Sequence, residues 1–105
     1  MNLITIAGQD YPVKYGRMAL AKVMKLAGAK GLKDFDKIDE IPPEKWGEFI
    51  LAGIHNGNKV NGSETLPDPV VLENLLDEDV EVFMQCLGYL GEDISPKEKT
   101  DTEGN

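Results

Sequence analysis

The chain holds one histidine, His55, and one cysteine, Cys86. Nucleophilic catalysis with a serine or cysteine calls for a nearby general base, most often histidine, so such chemistry would pass through His55. That residue lies in the run His55-Asn56-Gly57, which reads as a helix end. There a histidine serves as a partner of the terminal carbonyls or as a solvated residue. Cys86 stands beside an apolar stripe, with no Lys or Arg close in sequence to favour its thiolate. Buried thiols behave as small hydrophobes, so packing is its expected role.

Other chemical signatures fail on specific positions. Asp34, Asp36, Asp39 and Glu40 gather carboxylates, but a calcium loop starting at Asp34 would need glycine where Asp39 stands and glutamate where Lys45 stands. The run Gly28-Ala29-Lys30-Gly31-Leu32-Lys33 lacks the spacing of a phosphate loop, and no Gly-x-Gly-x-x-Gly follows a strand. Asn61-Gly62-Ser63 is formally a glycosylation sequon and reads as loop chemistry. The expectation is therefore a non-enzymatic chain with no cofactor and no metal.

That leaves surfaces for binding. Met18, Met24 and Met84 fall on or near helical stripes. Core filling is the usual role of such residues, but methionine also repacks readily against partners. Asn56, Asn58 and Val60 come from a stretch without periodicity. These six residues are the candidate partner-binding set.

Bulk composition narrows the partners. The 105 residues carry 11 basic and 19 acidic side chains, a net charge of −8. This disfavours nucleic acid, where affinity rests on cations neutralising phosphates, and anionic membranes for the same reason. Hydrophobic residues make up 41% of the chain, enough for one core and one domain. No apolar run approaches the roughly 20 residues that span a bilayer. The start Met1-Asn2-Leu3-Ile4-Thr5-Ile6 lacks the basic region of a secretory leader. A lone cysteine suits a reducing compartment, so the expected location is the cytoplasm.

The elements that must position these residues are read from periodicity. Alternation over 3–7 and again over 11–15, around Gly8-Gln9-Asp10, predicts a β-hairpin. Pro12 cannot donate a ladder hydrogen bond, which makes the second run an edge strand or places Pro12 at a strand start. A helix over 17–27 presents Leu20, Val23, Met24 and Ala27 and stops at Gly28. Residues 31–41 form a connecting segment. Pro42-Pro43 opens a second helix with Trp46, Phe49, Ile50, Gly53 and Ile54 on one face, ending at His55-Asn56-Gly57. Residues 56–67, with Asn-Gly pairs at 56-57 and 61-62, read as the least structured internal piece, a turn or a short hairpin. Asp68 caps a third helix with Pro69 in its first turn and Val71, Leu72, Leu75 and Leu76 inward. Asp77 caps a fourth, with Val80, Phe83, Met84 and Leu87 inward, closed by Gly91. Residues 92–105 are too polar to order and form a disordered tail. The predicted class is α+β: a hairpin packed on about four short helices over 1–91.

The run Leu3-Ile4-Thr5-Ile6-Ala7-Gly8-Gln9-Asp10-Tyr11-Pro12-Val13-Lys14-Tyr15-Gly16 resembles the opening of tail assembly chaperones from long-tailed bacteriophages and prophages. In that family a short strand, a Gly-containing turn and a Tyr-Pro-hydrophobic-basic-aromatic-Gly segment lead into the first helix. Helix order, acidic balance and polar tail are similar over roughly residues 2–91. The resemblance implies a chaperone that binds the tape-measure protein and helps recruit tail-tube subunits in the host bacterial cytoplasm. It also implies self-association along a long client, and a longer frameshifted form extending past the polar tail. It transfers no functional residue. The competing readings are a small acidic adaptor binding a basic or apolar protein and, behind it, an enzyme.

Overall fold

The computed structural model describes residues 2–29 and 40–94. Most of the connecting segment, including Asp34, Asp36 and Asp39, lies outside the described residues, as does the polar tail beyond Ile94. Among the described residues the architecture is α+β, an N-terminal hairpin followed by four helices, as the sequence predicts.

Strands β1 (Asn2–Ile6) and β2 (Gln9–Val13) pair antiparallel, with Ile6 opposite Gln9 and Leu3 opposite Pro12. The turn is the two residues Ala7-Gly8, with φ of 52° and 83°. Two positive φ values give the primed turn whose twist matches the strands, and glycine adopts the second without strain. The expected turn at Gly8-Gln9-Asp10 is therefore corrected: Gln9 and Asp10 belong to β2, and the Thr5 hydroxyl donates to the Asp10 carboxylate across the ladder. A two-residue turn makes Ile6–Gln9 a hydrogen-bonded pair, which puts Leu3–Pro12 at a non-hydrogen-bonded pair. Pro12 thus removes no ladder bond. Ile4, Ile6, Tyr11, Val13 and Tyr15 are buried, while Leu3 and Thr5 face outward.

Helix α1 (Arg17–Leu26) buries Ala19, Val23 and Leu26, with Leu20, Met24 and Ala27 partly covered. It stops at Gly28 as predicted. The Gly28 and Ala29 N–H groups donate back to the Lys25 and Met24 carbonyls, satisfying the last turn.

A single 3-10 turn, Pro43–Lys45, leads into α2 (Trp46–Asn61). The helix does not end at His55-Asn56-Gly57. It continues to Asn61 and stops at Gly62, which takes the left-handed conformation at φ 75°. The reason lies in β2. A Cβ on Gly57 would sit 2.4 Å from the Pro12 carbonyl oxygen, and one on Gly53 would sit 2.6 Å from the Tyr15 ring. These glycines let α2 lie directly on the hairpin, and the Lys14 N–H donates to the Gly53 carbonyl at 3.0 Å. They are contacts, not stops.

Helix α3 (Pro69–Glu78) begins as predicted, with the Asp68 carboxylate accepting the Val70 N–H at 2.8 Å. Leu72 and Leu76 are buried, Leu75 partly, and Val71 is exposed. Asp77 lies inside α3 and caps nothing. At the start of α4 (Glu81–Ile94) the Asp79 carboxylate accepts the Glu81 N–H at 2.9 Å. The inward face of α4 is Val82, Phe83, Cys86 and Leu90; Val80 and Met84 are exposed. The predicted stripe was rotated because it took the wrong members of an apolar-rich helix. Gly91 does not close α4, which runs to Ile94 and so claims 92–94 from the expected tail.

Phe49 centres the core. Tyr15 stacks on it with ring centroids 5.0 Å apart, and Phe83 meets it edge-on at 5.5 Å. Trp46 stacks on Phe83 at 4.2 Å and donates its indole N–H to the Ile41 carbonyl at 3.0 Å. Such pairs add about 0.5–1.5 kcal/mol each beyond area burial.

Candidate interaction surfaces

The two chemically reactive side chains do not meet. Cys86 is fully buried, and His55 is exposed in mid-helix on α2. The Tyr15 hydroxyl donates to the Phe49 carbonyl at 2.9 Å and shares a hydrogen bond with Cys86. Burial pushes the Tyr15 hydroxyl well above its ordinary range, with the Cys86 and Asp93 charges acting in the same direction. Burial likewise pushes the Cys86 thiol up to about 12, against the opposing effect of the Tyr15 hydrogen bond. At neutral pH both are protonated, and Cys86 is a packing residue rather than a nucleophile. Among the described residues no three His, Cys, Asp or Glu side chains gather as a metal-holding group.

A groove of about 500 Å³ runs between α1 and α2. Met18, Ala19 and Lys22 line it from α1, one helical turn apart. Glu48, Leu51, Ala52, His55, Asn56 and Lys59 line it from α2, again on one face at helical spacing. The α2 wall extends to Lys59 only because the helix passes through Gly57, which brings Lys59 onto the same face as His55. Apolar surface from Met18, Leu51 and Ala52 is thus flanked by two ammonium groups. Among the described residues the single salt bridge is Lys14–Asp93, so neither Lys22 nor Lys59 has a described anionic partner within ion-pair distance.

The six residues singled out from the sequence scatter. Met18 and Asn56 share this groove. Met24 is partly buried against the core. Val60 is exposed beside a smaller cleft lined by Asn2, Val13, Lys14 and Asp93. Met84 is exposed on α4. Asn58 is turned inward, its amide N–H donating to the Thr65 carbonyl at 2.8 Å, so it ties the loop after α2 to the helix and is not on the surface. Lys22, Leu51 and Lys59 were missed. Lys22 and Leu51 lay on the predicted helices outside their apolar faces, and Lys59 joins the α2 stripe only if the helix is known to run 16 residues.

Charge is segregated along the chain. Helix α1 carries Arg17, Lys22 and Lys25 and no carboxylate; α2 adds Lys59 against Glu48. Residues 60–94 contain no Lys or Arg, while Asp68, Glu73, Asp77, Glu78, Asp79, Glu81, Glu92 and Asp93 all lie on or beside α3 and α4. Asp77, Glu78, Asp79 and Glu81 are all exposed at the elbow between those helices, around the exposed Val80. No described helix is long and apolar enough to cross a membrane. The chain matches no family model, no characterised protein and no solved structure.

Proposed function

We propose that this chain is a non-enzymatic assembly chaperone of the phage-tail type, acting in the host bacterial cytoplasm. It binds the tape-measure protein and helps recruit tail-tube subunits. The observation that supports this reading is the placement of large flexible apolar side chains outside a completed core. Phe49, Ile50, Ile54 and Leu72 have no exposed surface, yet Met18, Val60, Val70 and Met84 are each more than half exposed, one on each helix. Such residues add nothing to the core and offer adaptable contact to apolar stripes of a helical client. The carboxylates of α3 and α4, around Val70 and Met84, keep a client complex soluble. Co-expression with the tape-measure protein encoded beside it tests the reading. The expected result is a soluble, co-purifying complex, lost when Met18, Val70 and Met84 are changed together to Ser. A client that stays equally insoluble, with no complex recovered, overturns it.

A second reading rests on the carboxylate-only run of residues 60–94. That surface suits an adaptor that holds a basic protein. Tail-tube and tape-measure genes on either side of the coding sequence would eliminate it.

A further inference from the structure

Two Asn-Gly pairs lie on α2, at 56-57 and at 61-62, and the fold treats them in opposite ways. An asparagine followed by glycine can lose its side-chain amide without an enzyme, because no Cβ on the next residue shields the attacking backbone nitrogen. The reaction needs that N–H freed from its hydrogen bond and room for the peptide to rotate. Asn56-Gly57 is denied both. Gly57 lies a full turn inside α2, its N–H held in the helix ladder, and it is buried with the Pro12 carbonyl against it. Asn56 is half-buried over Gly16. Asn61-Gly62 stands at the helix end, with both residues exposed. Gly62 is in the left-handed conformation, and nothing lies within 4 Å of the place a Cβ would take. The Gly62 and Ser63 N–H groups both donate to the Asn58 carbonyl, so one fraying event at the helix end frees the attacking nitrogen. The Asn61 side-chain amide donates to the Ser63 Oγ at 3.0 Å, which turns it toward the residues that follow it.

We propose that Asn61 is a site of spontaneous deamidation in the folded protein, and that the packing of Gly57 on β2 preserves Asn56. The Gly62 backbone nitrogen attacks the Asn61 side-chain carbonyl carbon. A nitrogen–carbon bond forms, the bond from that carbon to Nδ2 breaks, and Nδ2 leaves as ammonia with the proton that the Gly62 nitrogen gives up. The product is a five-membered succinimide. Water then opens either ring carbonyl. One opening leaves an aspartyl residue, and the other an isoaspartyl residue whose backbone runs through the former side chain. The net change consumes one water and releases one ammonia, with no oxidation or reduction. Either product places a new carboxylate at the negative end of the α2 dipole, in the turn that carries Lys59 of the groove. The isoaspartyl form also lengthens the backbone there by one carbon, so the two bonds to the Asn58 carbonyl lose their register. The reaction needs no client, so its failure is separate from failure of the chaperone reading.

Ageing of the full chain tests it. The purified protein is held for days in warm, mildly alkaline buffer, once folded and once in denaturant, with thermal melting of the folded sample to confirm that it stays folded. Trypsin separates the two pairs. Lys45 and Lys59 bracket Asn56, while Asn61 falls in the fragment that starts at Val60 and meets no Lys or Arg before Lys97. Fragment ions distinguish Asn61 from Asn74 in that second piece, and methylation by an isoaspartyl methyltransferase marks the isoaspartyl product. In the folded chain Asn61 should deamidate at least about tenfold faster than Asn56, because the first needs only terminal fraying and the second needs a much larger opening of the fold. In denaturant the two should react at similar rates. A folded chain in which Asn61 stays intact, while it reacts in denaturant, overturns the proposal. Equal rates at Asn56 and Asn61 in the folded chain overturn it too. An Asn56 that stays intact even in denaturant does the same, since its protection would then owe nothing to the contact with β2.

Discussion

A Cβ added to Gly57 would stand 2.4 Å from the carbonyl oxygen of Pro12, so the middle of α2 rests on the backbone of β2 with no side chain between them. Gly57 is therefore the point at which helix and hairpin are locked in depth.

Gly57→Ala should destabilise strongly. Alanine gains about 1 kcal/mol of helix propensity over glycine, but the obstacle is backbone and cannot swing aside. Overpacking against backbone falls at the upper end of its usual range, about 2–3 kcal/mol, and wins. The expected net loss is about 1–2 kcal/mol, a fall in Tm of the order of 5–15 °C for a domain this size. Gly53→Ala meets the Tyr15 ring instead, at 2.6 Å. It should also destabilise, but less, because a side chain can shift. Thermal melting of both variants checks the order.

Alkaline pH should unfold the protein by a route involving Tyr15 and Cys86. Both groups are neutral when protonated, and burial raises both, so the native state keeps these protons longer than the unfolded chain. Their contribution is fully present below the unfolded pKa. For Cys86 it is lost as pH rises from 9.0 toward about 12; for Tyr15 the loss starts above 10.0. In its window each group tilts stability by about 1.4 kcal/mol per pH unit. Denaturant midpoints measured from pH 7 to 11 should fall along this course, and Cys86→Ala should lose the part that begins first.

Asp93 anchors the end of α4. Its carboxylate accepts the Tyr15 backbone N–H at 2.8 Å and lies 3.4 Å from the Lys14 ammonium. Asp93→Ala should cost about 1.5–3 kcal/mol, the range for a hydrogen bond to a charged group. Asp93→Asn keeps an acceptor and should cost about half as much. Lys14→Ala should cost less than about 1 kcal/mol, because that ammonium is partly exposed and screened. Chemical denaturation of the three variants ranks them.

Met18→Ser and Met84→Ser should leave folding nearly untouched, within about 0.5 kcal/mol each, because both side chains are largely outside the core. Met24→Ser should cost more, since Met24 packs on the core from α1. A binding loss in the first two without a change in Tm separates surface from scaffold.

The sequence by itself determined the parts whose signals act over a few residues. Alternation marked both strands, Gly28 ended α1, and Asp68 with Pro69 opened α3, because turn and capping chemistry closes hydrogen bonds with near neighbours. Composition placed the carboxylates of α3 and α4 apart from the lysines of α1. Other features depended on what lies opposite. Whether Gly57 stops a helix or admits a strand cannot be decided within α2, since the answer is the Pro12 carbonyl of β2. The face of α4 was likewise ambiguous in a helix with apolar residues on several sides, until Phe49 and Trp46 claimed Phe83. Asp93 looked like the start of a solvated tail and proved to be a hairpin anchor. The groove appeared only with the tertiary structure, because Met18 and Lys59 face it from opposite walls only after α2 has been carried past its glycines by a contact that is distant in the chain.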